Sequence, residues 1–434
     1  MTTLEQQKII ELIRREVVPA VGCTEPIAVA LCAAVAAETL GERPSVRPEK
    51  IEVRLSSNIL KNAMGVGIPG TGMIGLPIAI ALGALYGDPK RELELLGGIT
   101  ADQVAEGKRY LDENPISITL AEGSVPKLYI EIEMWSGEES SRAVISGTHS
   151  SIVLRERNGE RLSGGAVAAE EVENGGAEVE LSLRKVCDFA MQTPLEELEF
   201  ITEAARLNMA AAETSFSGNY GHGLGVMLRE GGKFNLMGDT LFSRILSYTS
   251  GACDARMSGA PVPVMSNSGS GNQGIAATVP VVVYGRECGA SHEALVRALA
   301  LSHLTVIYIK QGLGRLSALC GCVVAATGSS CGITYLMGGS YDEISIAVKN
   351  MVANLTGMIC DGAKPSCALK ISSGVSTAVL SAMMAMEHRC TTSAEGIVDD
   401  DVDQTIRNLT HIGRDAMDET DKMILEIMTT KESC

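Results

Sequence analysis

Five of the chain's twelve cysteines fall between residues 320 and 367, where thiols could act together. Cys320-Gly-Cys322 lies in glycine-flanked sequence, Cys331 follows, and Cys360-Asp-Gly-Ala-Lys-Pro-Ser-Cys367 forms a second such stretch. Metal thiolates need access to the ion, loop geometry and hydrogen-bond donors on sulfur, and glycine-rich backbone supplies all three. The spacing is not that of a zinc site, because there is no Cys-x₂-Cys pair and no His accompanies these cysteines. It is not the regular ferredoxin run either. On spacing alone two readings stay open, a metal site and a set of buried thiols.

Three further segments are polar, rich in glycine and set between apolar runs. They are Lys61-Asn-Ala-Met-Gly-Val-Gly-Ile-Pro-Gly-Thr-Gly72, Ser217-Gly-Asn-Tyr-Gly-His222 and Ser266-Asn-Ser-Gly-Ser-Gly-Asn-Gln-Gly274. Each offers backbone N–H groups and small polar side chains suited to a carboxylate or phosphate. None is the phosphate loop Gly-x₄-Gly-Lys-[Ser/Thr], and none sits in a dinucleotide-binding strand–loop–helix unit. Singly each could be only a tight turn, but five such loops in one chain are better explained by a shared pocket. Val21-Gly-Cys-Thr-Glu-Pro26 enters a further helix, with Cys23 or Thr24 as its cap and Pro26 in its first turn.

The elements that must position these residues divide the chain. Apolar spacing predicts a helix over 4–17 and an all-round apolar, buried helix over 27–39. Ile51-Glu-Val-Arg-Leu55 alternates as a strand, as do stretches beginning at Ile116, Leu128 and Ser151, with turns at Ser136-Gly137 and Asn158-Gly159. Gly164-Gly165 and Asn174-Gly175-Gly176 read as exposed turns. From Pro194 the pattern is helical, over 195–212, 292–306, 343–358, 375–388 and 402–429. The expected architecture is α+β, with a strand-containing part over 1–190 and an all-helical part over 191–434.

A net charge of −17 disfavours nucleic acid and anionic membranes as partners. Asp399, Asp400, Asp401 and Asp403 read as a solvated face. The start has neither the basic nor the apolar region of a secretory signal, and twelve cysteines then point to a reducing, cytoplasmic setting rather than a disulfide framework. The uncharged runs 316–341 and 371–386 raise a transporter as an alternative, but small residues also pack the core helices of soluble proteins. No membrane is therefore expected.

With these motifs in view, the chain resembles the L-cysteine desulfidase family, related to the α-chain of iron–sulfur L-serine dehydratases. The resemblance is carried by the segments beginning at Val21, Lys61, Ser217 and Ser266, by Gly314-Arg-Leu-Ser-Ala-Leu-Cys-Gly321 and by Gly357-Met-Ile-Cys-Asp-Gly-Ala-Lys-Pro-Ser-Cys367. It implies that Cys320, Cys360 and Cys367 hold a [4Fe–4S] cluster with one iron left open. Cys322 and Cys331 fall outside that ligand set and read as buried or supporting thiols. An open iron is a Lewis acid toward a carboxylate and a leaving sulfur or oxygen. The reaction expected is β-elimination from L-cysteine to pyruvate, ammonia and sulfide, with L-serine as the alternative substrate.

A base must take the Cα proton. Cys23 is the candidate, because a helix N-terminus lowers a thiol's pKa and the resemblance marks the position. Cys23 or the terminal Cys434 could instead be a fourth cluster ligand. His222 is expected to hold the carboxylate or shuttle protons. Lys61 and Arg315 are expected carboxylate anchors, and Asn219, Ser268, Asn272 and Gln273 orienting groups. Partners are then the amino acid and, at most, a second copy of the chain in a homodimer. A pyridoxal-phosphate lyase is the competing enzyme class, since Ser217-Gly-Asn-Tyr-Gly221 resembles a carboxylate loop of that class. No Lys stands in a Schiff-base context, and the β/α alternation of that fold is missing. An iron–sulfur redox sensor is the non-enzyme alternative, disfavoured by the absence of a basic face.

Overall fold

The structure, a computed structural model, describes residues 2–42, 45–163, 179–314 and 317–431. The fold is α+β, with a six-stranded sheet in the N-terminal part and helices in the C-terminal part. The glycine turns expected at 164–165 and 174–176 lie outside the described residues.

In the sheet, Lys50–Leu55 pairs in parallel with the edge strand Ile116–Leu120. The other neighbours are antiparallel, in the order Lys50–Leu55, Tyr129–Ser136, Glu139–Ser146, Ile152–Arg157 and Glu160–Ser163. Turns fall at Ser136-Gly137 and Asn158-Gly159, where glycines take the positive φ that a tight hairpin needs. Alternation sets the faces: Ile51, Val53 and Leu55 are buried, whereas Arg54 points to the other face and meets Glu131 at 2.6 Å. The apolar face is covered by helix Thr24–Leu40, buried nearly end to end, which in turn packs on helix Leu76–Tyr86. A second and larger core lies among the helices of the C-terminal part.

The two cores exchange their end segments. Helix Thr3–Glu16 buries Ile9, Ile10 and Ile13 in the helical core, although it begins the chain. Helix Asp418–Thr430 ends the described chain yet places Leu425 in the core beneath the sheet. Position 190 lies within helix Leu183–Gln192, which is part of the helical core.

The segment expected as one helix over 402–429 is two, Val402–Asp415 and Asp418–Thr430. Three long helices, Leu241–Met257, Gly271–Glu287 and Gly321–Leu336, stand where no helix was expected. Their small residues let backbones come close; a Cβ on Gly328 would strike the Ser302 carbonyl. Among the described residues one helix, Cys367–Met386, is long and apolar enough to cross a membrane. It packs against Leu241–Met257, Gly321–Leu336 and helix Tyr341–Leu355.

Candidate functional site

Two short backbone ladders assemble the site. In the first, Pro19–Val21 pairs antiparallel with Pro263–Met265. The ladder is extended by the Ser266 N–H to the Val18 carbonyl (2.8 Å) and the Ser268 N–H to the Glu16 carbonyl (2.9 Å). This brings the Cys23 loop against the Ser266–Gly274 segment, where the Thr24 hydroxyl reaches the Gly269 carbonyl at 3.1 Å. Ser268 is held at φ 48°, a left-handed conformation uncommon outside glycine and frequent at functional sites. In the second ladder, the Cys320 N–H donates to the Met358 carbonyl (3.0 Å) and the Cys360 N–H to the Ala318 carbonyl (2.6 Å). Two cysteines forty positions apart are thereby fixed side by side.

Between the ladders lies a cavity of about 90 Å³. Its wall includes Cys320, Cys322, Cys360 and Cys367 together with Cys23, Ser268, Asn272 and Gln273. Four helices start at this wall: Cys23, Ser270 and Cys320 are N-caps, and Cys367 is the first residue of its helix. None of these caps is closed by its own side chain. The positive ends of four helix dipoles thus face one space, an arrangement that favours anions.

The thiols are not electrostatically equal. The Cys322 S–H donates to Cys320 and, with the N–H groups of Val323 and Cys322 and the charge of Lys370, lowers the Cys320 pKa against the opposing effect of burial. Burial pushes Cys367 up to about 11 and raises Cys360, and the Cys320 charge raises both further. Lys364 and Lys370 brace the second cysteine loop: Lys364 Nζ donates to the Asp361 and Gly362 carbonyls, and Lys370 Nζ to the Ile359 carbonyl (2.7 Å) and the Asp361 carboxylate.

Cys23 is an N-cap, as expected, but it is not the thiolate that a helix dipole alone would give. Burial, then the Glu25 carboxylate, push its pKa well up, and its S–H donates to Glu25 Oε2 at 3.0 Å. Desolvation of the charged form outweighs the dipole here.

Other expected site residues are placed elsewhere. Lys61 is almost fully buried, ion-paired with Asp421 of the last helix and 3.5 Å from the Cys360 carbonyl, so its charge is already engaged. Asn219 and His222 lie on an exposed loop and are not part of the cavity wall. That loop is tied to Ser258, the C-cap of helix Leu241–Met257, through the Gly221 N–H to Ser258 Oγ (2.6 Å). Cys331 is buried in the helical core. Arg315 and Cys434 lie outside the described residues.

The wall also holds Glu25 and Asn62, from two of the motifs but given no role by them, and His149, Arg256, Lys310 and Lys370, which lie outside the motifs. His149 comes from the turn between two strands of the sheet, so both parts of the molecule contribute. Arg256 and Lys310 are charged side chains buried near the C-terminal ends of helices Leu241–Met257 and His292–Leu313, outside the glycine-rich segments.

Among the described residues, no three His, Cys, Asp or Glu side chains close on one point as ligands of a single ion would. The thiols instead surround a space that takes several heavy atoms, at roughly 10–15 Å³ for a water-sized body. Soft thiolate donors, nearby lysines and converging helix N-termini fit an anionic iron–sulfur cluster.

A profile of the serine dehydratase alpha chain family matches residues 90–426. The chain is 63% identical over 434 residues to a UPF0597 protein of Bacteroides thetaiotaomicron, covering all of both chains. A UPF0597 protein of Bacteroides fragilis is 64% identical over 431 residues, 99% of this chain and all of the relative. One from Porphyromonas gingivalis is 58% identical over the full length of both chains.

Proposed function

Because the chain belongs to the serine dehydratase alpha chain family, we propose that it is an iron–sulfur lyase eliminating the β-substituent of a small amino acid, sulfide from L-cysteine. One observation carries the reading: Cys320, Cys360 and Cys367, from two distant stretches, share a cavity wall with Cys23. In the proposal the three cysteines hold a [4Fe–4S] cluster, which supplies a Lewis-acid iron to the substrate. Lys370 and Lys61, the cations felt by Cys360, offset the cluster's negative charge.

The chain's own residues handle the proton. Glu25 accepts the Cys23 proton across their 3.0 Å hydrogen bond, and the sulfur so freed takes the substrate's Cα proton. Arg256, which lowers the Cys23 pKa, favours that transfer. Ser268 and Asn272, on the facing wall, orient the substrate. Loss of the leaving group gives an enamine that water converts to pyruvate and ammonia. Asn219 and His222 are given no part in this step, and Lys61 acts on charge balance rather than on substrate.

The family description favours a second reading, L-serine as the substrate with water as the leaving group. Anaerobically purified protein decides between them by sulfide release from L-cysteine against pyruvate release from L-serine. Cys320→Ala, Cys360→Ala and Cys367→Ala should each lose iron, acid-labile sulfide and the broad visible absorbance. Full iron content in all three would remove the cluster assignment.

A further inference from the structure

Arg256 is 3% exposed, on helix Leu241–Met257, and lines the cavity. Its Nε donates to the Gly22 carbonyl at 3.1 Å, beside Cys23. Among the described residues no carboxylate forms an ion pair with it, and its two terminal nitrogens have no hydrogen-bond partner. A guanidinium cannot shed its proton to relieve burial, so a buried one requires an anion. The packing makes room for it, since a Cβ on Gly271 would collide with Arg256 Nε.

Gln273 presents the complementary case. It is 4% exposed and lines the same cavity, and its Oε1 has no hydrogen-bond partner among the described residues. A buried acceptor left unsatisfied calls for a donor.

We propose that Arg256 grips the α-carboxylate of the substrate while Gln273 Oε1 accepts from its α-ammonium group, an inference that rests on reading the cavity as an amino-acid lyase site. The division of cations supports this role over charge balance for a cluster. Lys370 acts on Cys320 and Cys360, Lys61 on Cys360 and Lys364 on Cys367, whereas Arg256 acts on Cys23 and holds the Gly22 carbonyl beside it. Arg256 therefore belongs to the Cys23 side of the cavity. A substrate held there by both charged groups presents Cα to the thiol that takes its proton. The pair also sets the ligand class: a carboxylic acid without the amine, or an amine without the carboxylate, satisfies one partner and strands the other.

The test uses the holoenzyme purified anaerobically and ligand-observed NMR with two unreactive probes, L-alanine and propionate. Arg256→Gln should keep its iron and sulfide content yet lose binding of both probes, with KM for the reactive amino acid raised about 100-fold. Arg256→Lys, which keeps the charge but not the fork, should lose about 10-fold. Gln273→Leu should weaken L-alanine while leaving propionate unchanged, a split that general damage to the fold would not produce. Arg256→Gln with normal iron and unaltered probe binding overturns the proposal and leaves the lyase reading standing; if Arg256→Gln does not fold, unaltered binding in Arg256→Lys and Gln273→Leu overturns it. A parent protein without iron or turnover removes the lyase reading, whereas the probe measurements still decide the role of Arg256.

Discussion

His303 should make this protein acid-sensitive by a predictable amount. The imidazole is fully buried in helix His292–Leu313, beneath the segment that carries Ser268, Asn272 and Gln273. Asn267 Nδ2 lies 3.0 Å from its Nδ1, and Thr278 Oγ1 lies 2.9 Å from its Nε2. The Thr278 hydroxyl proton goes to the Gly274 carbonyl at 2.6 Å, so Nε2 donates to Thr278 and Nδ1 accepts from Asn267. Every donor then has an acceptor only while the ring is neutral. A second proton would sit on Nδ1 and face the Asn267 amide donor.

Burial pushes the His303 pKa down from 6.5 to about 3. Below pH 6.5 the unfolded chain binds this proton and the folded chain does not, so stability falls as pH drops from 6.5 toward 3. At pH 4.5 the loss is about 2.7 kcal/mol from this group alone. For a chain of 434 residues that corresponds to about 3 °C in Tm. His303→Gln retains an amide that can donate to Thr278 and has nothing to titrate. Calorimetry of both proteins at pH 7.5 and 4.5 gives a difference of differences in which carboxylate titration and the packing cost of the substitution cancel. The parent should fall further than the variant by about 3 °C. Equal falls would refute the buried neutral imidazole and the hydrogen-bond order drawn from it.

Three other predictions concern the site's supports. Gly274→Ala places a Cβ against the Met265 carbonyl and should cost about 1–3 kcal/mol in urea unfolding, whereas Gly357→Ala, whose Cβ meets nothing, should cost little. Asp421→Ala strands the buried Lys61 ammonium and should cost about 3–5 kcal/mol, with faster proteolysis of the last helix; the double variant Lys61→Met, Asp421→Leu should recover most of it. In metal-free protein, Cys322→Ala removes the thiol donor to Cys320, so the pH profile of Cys320 alkylation should move upward. An unmoved profile would show that the two sulfurs do not share a hydrogen bond.

The sheet was legible because half-buried strands alternate, as Ile51, Val53 and Leu55 do against Glu52 and Arg54. Helices such as Thr3–Glu16 were legible because one face meets water. Helices buried all round leave no such period. Gly271–Glu287 and Gly321–Leu336 are buried over most of their length and begin on glycine, so their first turns read as glycine loops. The cavity's thiols were visible as a cluster in the sequence. Cys23 was visible as a cap, but the balance between its dipole and its burial depends on Glu25 and on everything packed around it. Arg256 and His149 were missed because they come from a helix with no motif and from a strand turn far away in the chain.

The pairing of Pro19–Val21 with Pro263–Met265 bears on how the molecule is made. During synthesis the first twenty residues leave the ribosome long before the strand that receives them. At roughly 5–20 residues per second the wait is tens of seconds at the slow end. Until then Ile9, Ile10 and Ile13 have no core to enter. The nascent chain thus carries a helix with an uncovered apolar face until Pro263–Met265 and the helices around it have been made, the interval in which a chaperone would find it exposed.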